Sequence, residues 1–559
     1  MMRIKKNMLR IVAVLLAITA TSCDVSSPLD RNIVGDLDKE RVFTDMNLTY
    51  EFVNNIYSVR TDGYTQPVGA AMLASATDDA YYSNQSGVVH FMNNDSWSST
   101  FNPADIWDEM YEGIRKTNLF FENSDQMVLE EGGYPVRHGE ETGQDGGLIT
   151  AEQLRSRLTG EVHFLRAFFY FQLLKRYGGV PLYTQTFDLG ESIDATRASA
   201  EETVSFIIDD LDQAINTLPM NYDHYTANRG RATTPMAMAL KAQVLLWAAS
   251  PLHNPSGDTQ KWVDAAEAAK AVMDLGVYEL DSDYKSVFVR NLDSPEIIFS
   301  LRSGPTNVIE QAHTPVGYES GGGGINPTQD LVDAYEMANG ESFDWDNPTH
   351  AADPYANRDP RFYTSILHNG AQWRDRAVET YVGGQDGEGV QNATLTGYYM
   401  GKFLDPDLDL LRNQTSVKNW VILRYAEILL GYAEAQNEAV GPDQSVYDAV
   451  NAVRSRVGMP DLPTGLSQEQ MRQRIRHERR IEFAFEGQRF FDVRRWDIGT
   501  DTFDGPIRGV RITEEGEGNY NYNIIELQNR VYTEKMNLFP IPQSEINNTD
   551  GVLTQNPGW

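Results

Sequence analysis

TAEQLRSRLTGEVHFLRAFFYFQLLKRYGG, Thr150 to Gly179, is the stretch that decides the architecture. Apolar residues recur at three- and four-residue steps from Ala151 to Tyr177, the spacing that places them together on a helix. Thr150 offers a hydroxyl N-cap with Gln153 at the third helical position, a pairing that satisfies orphan N–H groups at a helix start. Gly178 and Gly179 then supply the left-handed backbone that ends it.

The same spacing extends outward through Thr44 to Arg60, Pro103 to Glu122, Glu201 to Leu218, Pro235 to Ala249 and Gln260 to Leu275. Ser199 with Glu202 repeats the capping signal, and Gly276 repeats the stop. Such elements pair as helical hairpins. From Gly304 to Asn419 the pattern gives way to Gly-, Asn-, Asp- and aromatic-rich sequence, with only Gln329 to Met337 periodic, so loops and short strands are expected there. Helical spacing returns over Trp420 to Ala439, Asp443 to Val457, Ser467 to Glu486 and Arg489 to Trp496, followed by a loop-rich tail. No strict repeat of about 34 residues is visible, so periodicity allows tetratricopeptide-like pairing without establishing it. A rigid helical frame carrying a loop-rich insertion is an arrangement in which the loops bind.

Composition narrows the function. With 41% hydrophobic and 23% charged residues the 559-residue chain is a folded body, not a collagen-like, disordered or polytopic membrane one. Its 80 acidic against 47 basic residues give a net charge of -33, which repels phosphate backbones, so nucleic acid is excluded as a partner. One cysteine allows neither an internal disulfide nor a Cys-based zinc site.

That cysteine ends the N-terminal stretch MMRIKKNMLRIVAVLLAITATSC, in which Arg3, Lys5, Lys6 and Arg10 precede an apolar run from Ile11 to Ile18. The run spans about 12 Å as a helix, short of the roughly 30 Å hydrocarbon core, and reads as an export signal. The segment resembles a bacterial lipoprotein signal, in which a cysteine at the place of Cys23 becomes the acylated N-terminus. This implies a signal peptide over 1–22 and a lipidated tether over 23–38. No later apolar stretch is long enough to span a bilayer. Ala237 to Ala249, the richest, is broken by Lys241 and Gln243.

Eight further strings resemble the SusD/RagB family of outer-membrane nutrient-binding lipoproteins: GEVHFLRAFFYFQLLKRYGGVPLY (Gly160 to Tyr183), NPTQDLVDAYEMANGE (Asn326 to Glu341), NRDPRFY (Asn357 to Tyr363), TGYYMGKF (Thr396 to Phe403), LRYAEILLGYAEAQNEA (Leu423 to Ala439), NAVRSRVGMPDLP (Asn451 to Pro463), RHERRIEFAFEGQRFFDVRRW (Arg476 to Trp496) and MNLFPIPQSEINNTDGVLTQNPGW (Met536 to Trp559). The resemblance implies a mainly α fold: a tetratricopeptide-like helical-hairpin scaffold over 39–303, a loop-rich ligand-binding insertion over 304–419, and C-terminal helices and tail over 420–559. It also implies a surface-exposed outer-membrane lipoprotein that captures glycans, or in a minority of members peptides, and passes them to a SusC-like TonB-dependent transporter. In Arg476 to Trp496 the residues Glu478, Arg479, Arg480, Glu482 and Glu486 stand mostly three or four apart, the spacing of surface ion pairs on a packed helix.

Ligand groups are sought among the aromatics. Trp107, Trp247, Trp262, Trp420 and Trp496 lie in helical apolar patterns and read as packing residues. Trp97, Trp345 and Trp373 lie in polar loops, where a large indole needs a cover. Trp559 reads as a dock for the tail. Sugar rings have apolar faces and hydroxyl rims, so they call for aromatic platforms beside amide, carboxylate and guanidinium groups. Asp78, Asp79 and Tyr82 precede Trp97, and Arg374 follows Trp373, so the candidate binding residues are Asp78, Asp79, Tyr82, Trp97, Trp345, Trp373 and Arg374. For each aromatic, a local loop anchor is an equal alternative.

No G-x-S-x-G, H-E-x-x-H, P-loop or dinucleotide fingerprint is present, and no cofactor is expected. Asp405, Asp407 and Asp409 imitate the start of an EF-hand loop, but Leu410 stands where Gly is required and Ser416 where the bidentate Glu belongs, which favours a solvated acidic turn. The expected function is glycan capture without catalysis. Peptide capture and surface glycosidase activity are the alternatives.

Overall fold

Thr150 caps its helix as the sequence predicts: its hydroxyl accepts from the Gln153 N–H at 3.1 Å while the Gln153 side chain accepts from the Thr150 N–H at 2.8 Å. The computed structural model describes residues 39–59, 63–65, 67–127, 135–136, 139–140, 150–188, 190–191, 195–222, 228–516 and 518–559. The expected signal peptide, Cys23 and the tether lie outside the described residues.

The longer helices are α1 (Met46–Ile56), α2 (Trp107–Asn123), α3 (Ala151–Tyr177), α4 (Ala200–Thr217), α5 (Thr234–Ala249), α6 (Thr259–Asp274), α7 (Tyr425–Val440), α8 (Gln444–Arg456), α9 (Gln468–Glu482) and α10 (Gln488–Arg495). Each of α2 to α7 packs on the next, and α8 and α9 both close on α7, so the helices stack pairwise as an array. Position in the array explains composition. Helix α5, TPMAMALKAQVLLWAA, is apolar almost all round because α4, α6, α7 and β2 all pack against it. Helix α6 has fewer covered faces and buries only Ala265, Ala266, Ala269 and Val272. The fold is mainly α with short sheets, as expected.

Among the strands, β1 (Ala80–Tyr82), β2 (Ile297–Leu301), β3 (Ile325–Pro327), β4 (Gln372–Trp373), β5 (Arg376–Ala377) and β6 (Trp420–Arg424) are short, while β7 (Gly505–Gly516) and β8 (Asn519–Arg530) are long. Pairing is antiparallel throughout these: β1 with β3, β2 with β6, β4 with β5, and β7 with β8. Strands β1 and β3 tie the N-terminal scaffold to the insertion, and the Gly321 to Gly324 run lets that happen. A Cβ on Gly321 would stand 2.1 Å from the Pro315 carbonyl oxygen, so only glycine lets this segment lie against the preceding loop and deliver Ile325 to the sheet.

Two expectations are corrected. Trp420 begins a strand rather than a helix, because its segment pairs with Ile297–Leu301 before the chain turns into α7. The tail is not all loop: β7 and β8 form a twelve-residue-per-strand hairpin that lies over the insertion, with the Val382 and Val510 N–H groups donating to the Ile512 and Thr396 carbonyls at 2.9 Å.

A third correction concerns the charges of Arg476 to Trp496. Glu478, Arg479 and Glu482 are 1%, 2% and 0% exposed, so they belong to the interior rather than to a solvated face. Glu482 receives Arg361 at 2.9 Å, Arg424 at 2.6 Å and Arg456 at 2.6 Å. Arg361 also meets Asp359 and Glu478, and Arg454 links Glu478 to Glu336. Burial would raise the Glu482 carboxyl, but the Arg456, Arg424 and Arg361 guanidiniums outweigh it and hold it well below the usual carboxylate range. The network bolts the insertion, through Glu336, Asp359 and Arg361, to α8, α9 and β6.

Candidate functional site

Arg361, so held, fixes the short helix Pro360–Ser365, which Asp359 caps by accepting from the Arg361 N–H at 2.9 Å. This helix buries Arg361, Phe362 and Ser365 and turns Tyr363 outward, 46% exposed. The Tyr363 hydroxyl donates to the Tyr355 carbonyl at 2.8 Å and accepts from the Arg358 N–H at 3.1 Å, so the exposed ring is held in a fixed position. Beside it opens a cavity of about 510 Å³, lined by residues that include Lys285, Tyr363, His368, Gln372, Trp373 and Arg374. Trp373 sits on β4, and Tyr318 staples that hairpin: its hydroxyl reaches the Trp373 and Arg376 carbonyls at 3.0 Å, and its ring lies 3.8 Å from the Arg376 guanidinium.

The cavity's polar groups are individually defined. Burial pushes the His368 imidazole down to about 4, and its Nδ1 bonds the Asn369 carbonyl at 2.7 Å, so a neutral ring presents Nε2 as an acceptor. The Lys285 ammonium donates to the Gly401 and Lys402 carbonyls at 2.6 and 3.1 Å and lies 6.0 Å from the Trp373 ring. The Trp373 Nε1 and the Arg374 Nε and Nη2 are buried without a hydrogen-bond partner among the described residues.

The structure brings together some of the expected residues and separates others. Trp373 and Arg374 line the cavity, although the Trp373 ring is itself only 6% exposed and Tyr363 offers the wider surface. Trp345 is half-buried, donates from Nε1 to Asp333 at 3.0 Å, and joins the cavity through a run of rings: Tyr522 at 6.2 Å, then Tyr355 at 5.6 Å, His368 at 4.3 Å and Tyr363 at 6.4 Å. Tyr82 stands apart, stacked on His90.

Asp78, Asp79 and Trp97 are placed as structural anchors. Asp78 binds Arg489 through both oxygens at 3.0 and 2.9 Å, and Arg480 spans Asp78 and Asp79 at 2.9 and 2.8 Å. Burial would raise the Asp78 carboxyl, yet the two guanidiniums hold it at about 2. These ion pairs pin the start of β1 to α9 and α10. Trp97 is 3% exposed, packed edge-on against Phe539 at 5.3 Å and Trp559 at 4.5 Å, so it docks the C-terminal tail. Trp559 takes the docking part expected of it, donating to the Lys535 and Leu538 carbonyls. In the EF-hand-like turn, Arg290 bridges Asp405 and Asp407 at about 3.0 Å, which puts a guanidinium beside two of the carboxylates a cation would use.

Tyr363, His368, Gln372 and Lys285 were not singled out from sequence. The available signal was local: in NRDPRFY a helix capped by Asp-Pro places Tyr363 opposite the buried Arg361 and Ser365.

Residues 295–559 match the family model described as SusD family, and residues 36–246 match one described as starch-binding associating with outer membrane. SusD-like protein P2 of Formosa agariphila is 24% identical over 98% of this chain and 99% of its own length. A crystal structure of a SusD-like protein from Bacteroides fragilis superposes with a TM-score of 0.78 at 32% identity, covering 93% of this chain and 98% of that one. A SusD-like carbohydrate binding protein from the same organism gives 0.76 at 23% identity over 92% and 100%. A stacked-helix scaffold, a bolted-on insertion and this end-to-end agreement place the chain in the SusD family.

Proposed function

We propose that the protein is a non-catalytic glycan-binding lipoprotein of the outer membrane. Held at the cell surface by acyl chains on Cys23, it captures oligosaccharides or polysaccharides and hands them to a SusC-like TonB-dependent transporter. The observation that carries the reading is the open cavity of about 510 Å³ walled by Tyr363, His368 and Trp373, with Gln372 and Arg374 at its side. Flat ring faces suit the apolar faces of sugars, and the amide and guanidinium groups suit their hydroxyl rims. A structural neighbour described as carbohydrate binding supports the same class of ligand. A glycosidase needs two carboxyl groups flanking the scissile bond, and the described residues lining this cavity include neither Asp nor Glu. Dual or triple acylation at Cys23 would suffice for stable anchoring, since each buried methylene contributes about 0.8 kcal/mol.

The test is calorimetric titration of the mature chain with oligosaccharides and, in parallel, with short peptides. Saturable sugar binding that Tyr363→Ala weakens is the expected result. Saturable peptide binding with no sugar binding would replace this reading with peptide capture.

A further inference from the structure

Taking the glycan site as its premise, we infer that the Trp373 cavity selects acidic glycans, recognising a uronate carboxylate or a sulfate ester through Arg374 and Lys285. The chain carries 80 acidic and 47 basic residues, yet the described residues lining this cavity include Lys285 and Arg374 and neither Asp nor Glu. Within 304–419, Arg361 meets Asp359, Arg376 meets Asp386 and Arg412 meets Asp409, while Arg358 is held by the Pro354, Val332 and Tyr335 carbonyls. Arg374 makes neither kind of contact among the described residues. Its Nε and Nη2 are buried and have no hydrogen-bond partner among the described residues, and an arginine fork left unpaired in this way matches a carboxylate or sulfate bidentately.

Backbone geometry adds a second, independent observation. Arg374 is the first residue of the two-residue turn between β4 and β5 and has φ 55°, where a hairpin turn of this kind favours glycine. A long cationic side chain therefore occupies a position that backbone energetics would give to Gly, which points to a use for the side chain.

Lys285 supplies the second positive group. Two of its three N–H donors are taken by the Gly401 and Lys402 carbonyls, and the third is left for a ligand. The nearby carboxylates that could neutralise it are already engaged, Glu310 by Lys418 and Asp405 by Arg290. Burial together with the Lys418 charge pushes the Lys285 ammonium down to about 7, so an arriving anion would stabilise its protonated form.

Matched ligand pairs test the assignment: hexagalacturonate against its methyl ester, and a sulfated β-glucan oligosaccharide against its unsulfated parent, each titrated into the mature chain. The two arms distinguish carboxylate from sulfate. At least one acidic member should bind about tenfold or more tighter than its neutral partner, the scale of a charged hydrogen bond, and Arg374→Gln should abolish that preference. Raising the salt to about 0.5 M should weaken the acidic ligand and spare the neutral one, a readout that needs no variant. Equal affinity within both pairs, or an acidic preference that survives Arg374→Gln and salt, overturns the inference while glycan binding stands. Failure of every acidic and neutral sugar to bind overturns both.

Discussion

Replacing Glu482 by Gln removes one charge that three buried guanidiniums share and changes almost no volume. Arg361, Arg424 and Arg456 each approach this carboxylate at 2.9, 2.6 and 2.6 Å, and all four groups are 3% exposed or less at the side chain. Other carboxylates reach the same cations, Asp359 and Glu478 for Arg361 and Glu296 for Arg424 and Arg456, so the cations are not stranded completely. Removing one partner of a buried ion pair typically costs about 3–5 kcal/mol because the remaining charge stays desolvated. Domains have only about 5–15 kcal/mol in total, so the loss is a large share of it. Urea unfolding followed by circular dichroism should show a lower midpoint for Glu482→Gln, with the slope giving the change in exposed surface. The insertion should also loosen first, since Arg361 carries the helix of Tyr363. A loss below about 1 kcal/mol would refute the view that this network bolts the insertion to the scaffold, and would return these residues to the energetics of surface pairs.

Trp97→Ala should destabilise the protein by about 3–5 kcal/mol, read by thermal melting, and free the tail for proteolysis near Trp559, while residual folded protein keeps its sugar affinity. Acid should weaken the fold. His313 is held at about 3 by burial and the Lys418 charge, and its Nδ1 accepts from the Ile325 N–H at 3.2 Å, so the unfolded chain binds more protons and stability falls as pH drops below about 6.5. His253 and His477, each held at about 4 by burial, act in the same direction. Glu427, raised to about 7 by burial, acts oppositely as pH rises from about 4.5, so urea midpoints between pH 7 and 4 measure the balance, with a net fall expected in acid. Cys23→Ser should release the protein from the membrane fraction, read by fractionation and by loss of fatty-acid labelling.

The scaffold was legible because its signals are local. Caps such as Thr150 and Ser199, stops such as Gly178, and three-to-four spacing all act within a few residues, and each helix they mark was found. The β7–β8 hairpin is illegible in the sequence because an irregularity between Ile507 and Arg508 breaks the two-residue spacing of Ile507, Val510 and Ile512, and its partner β8 is rich in Tyr and Asn, a half-covered pattern that reads as loop. Arg476 to Trp496 misled for a different reason. Helical spacing of opposite charges looks the same whether the partners are on the same helix in water or on other elements in the interior, and here Glu482 finds Arg424, Arg456 and Arg361 from three other segments. The site was half legible. A loop tryptophan needs a cover, but sequence cannot say whether the cover is ligand or protein: Trp97 is covered by Phe539 and Trp559, whereas Trp373 borders an open cavity. Tyr363 became conspicuous only once the buried Arg361 fixed which way its short helix faces.

Capture without cleavage is tested most directly by incubating the mature chain with oligosaccharides while following heat and product together. Saturable heat of binding with chemically unchanged sugar, and loss of about tenfold in affinity on Tyr363→Ala in protein that still folds, is the expected result. Shortened sugars released by the pure protein, or affinity untouched by Tyr363→Ala, would contradict it.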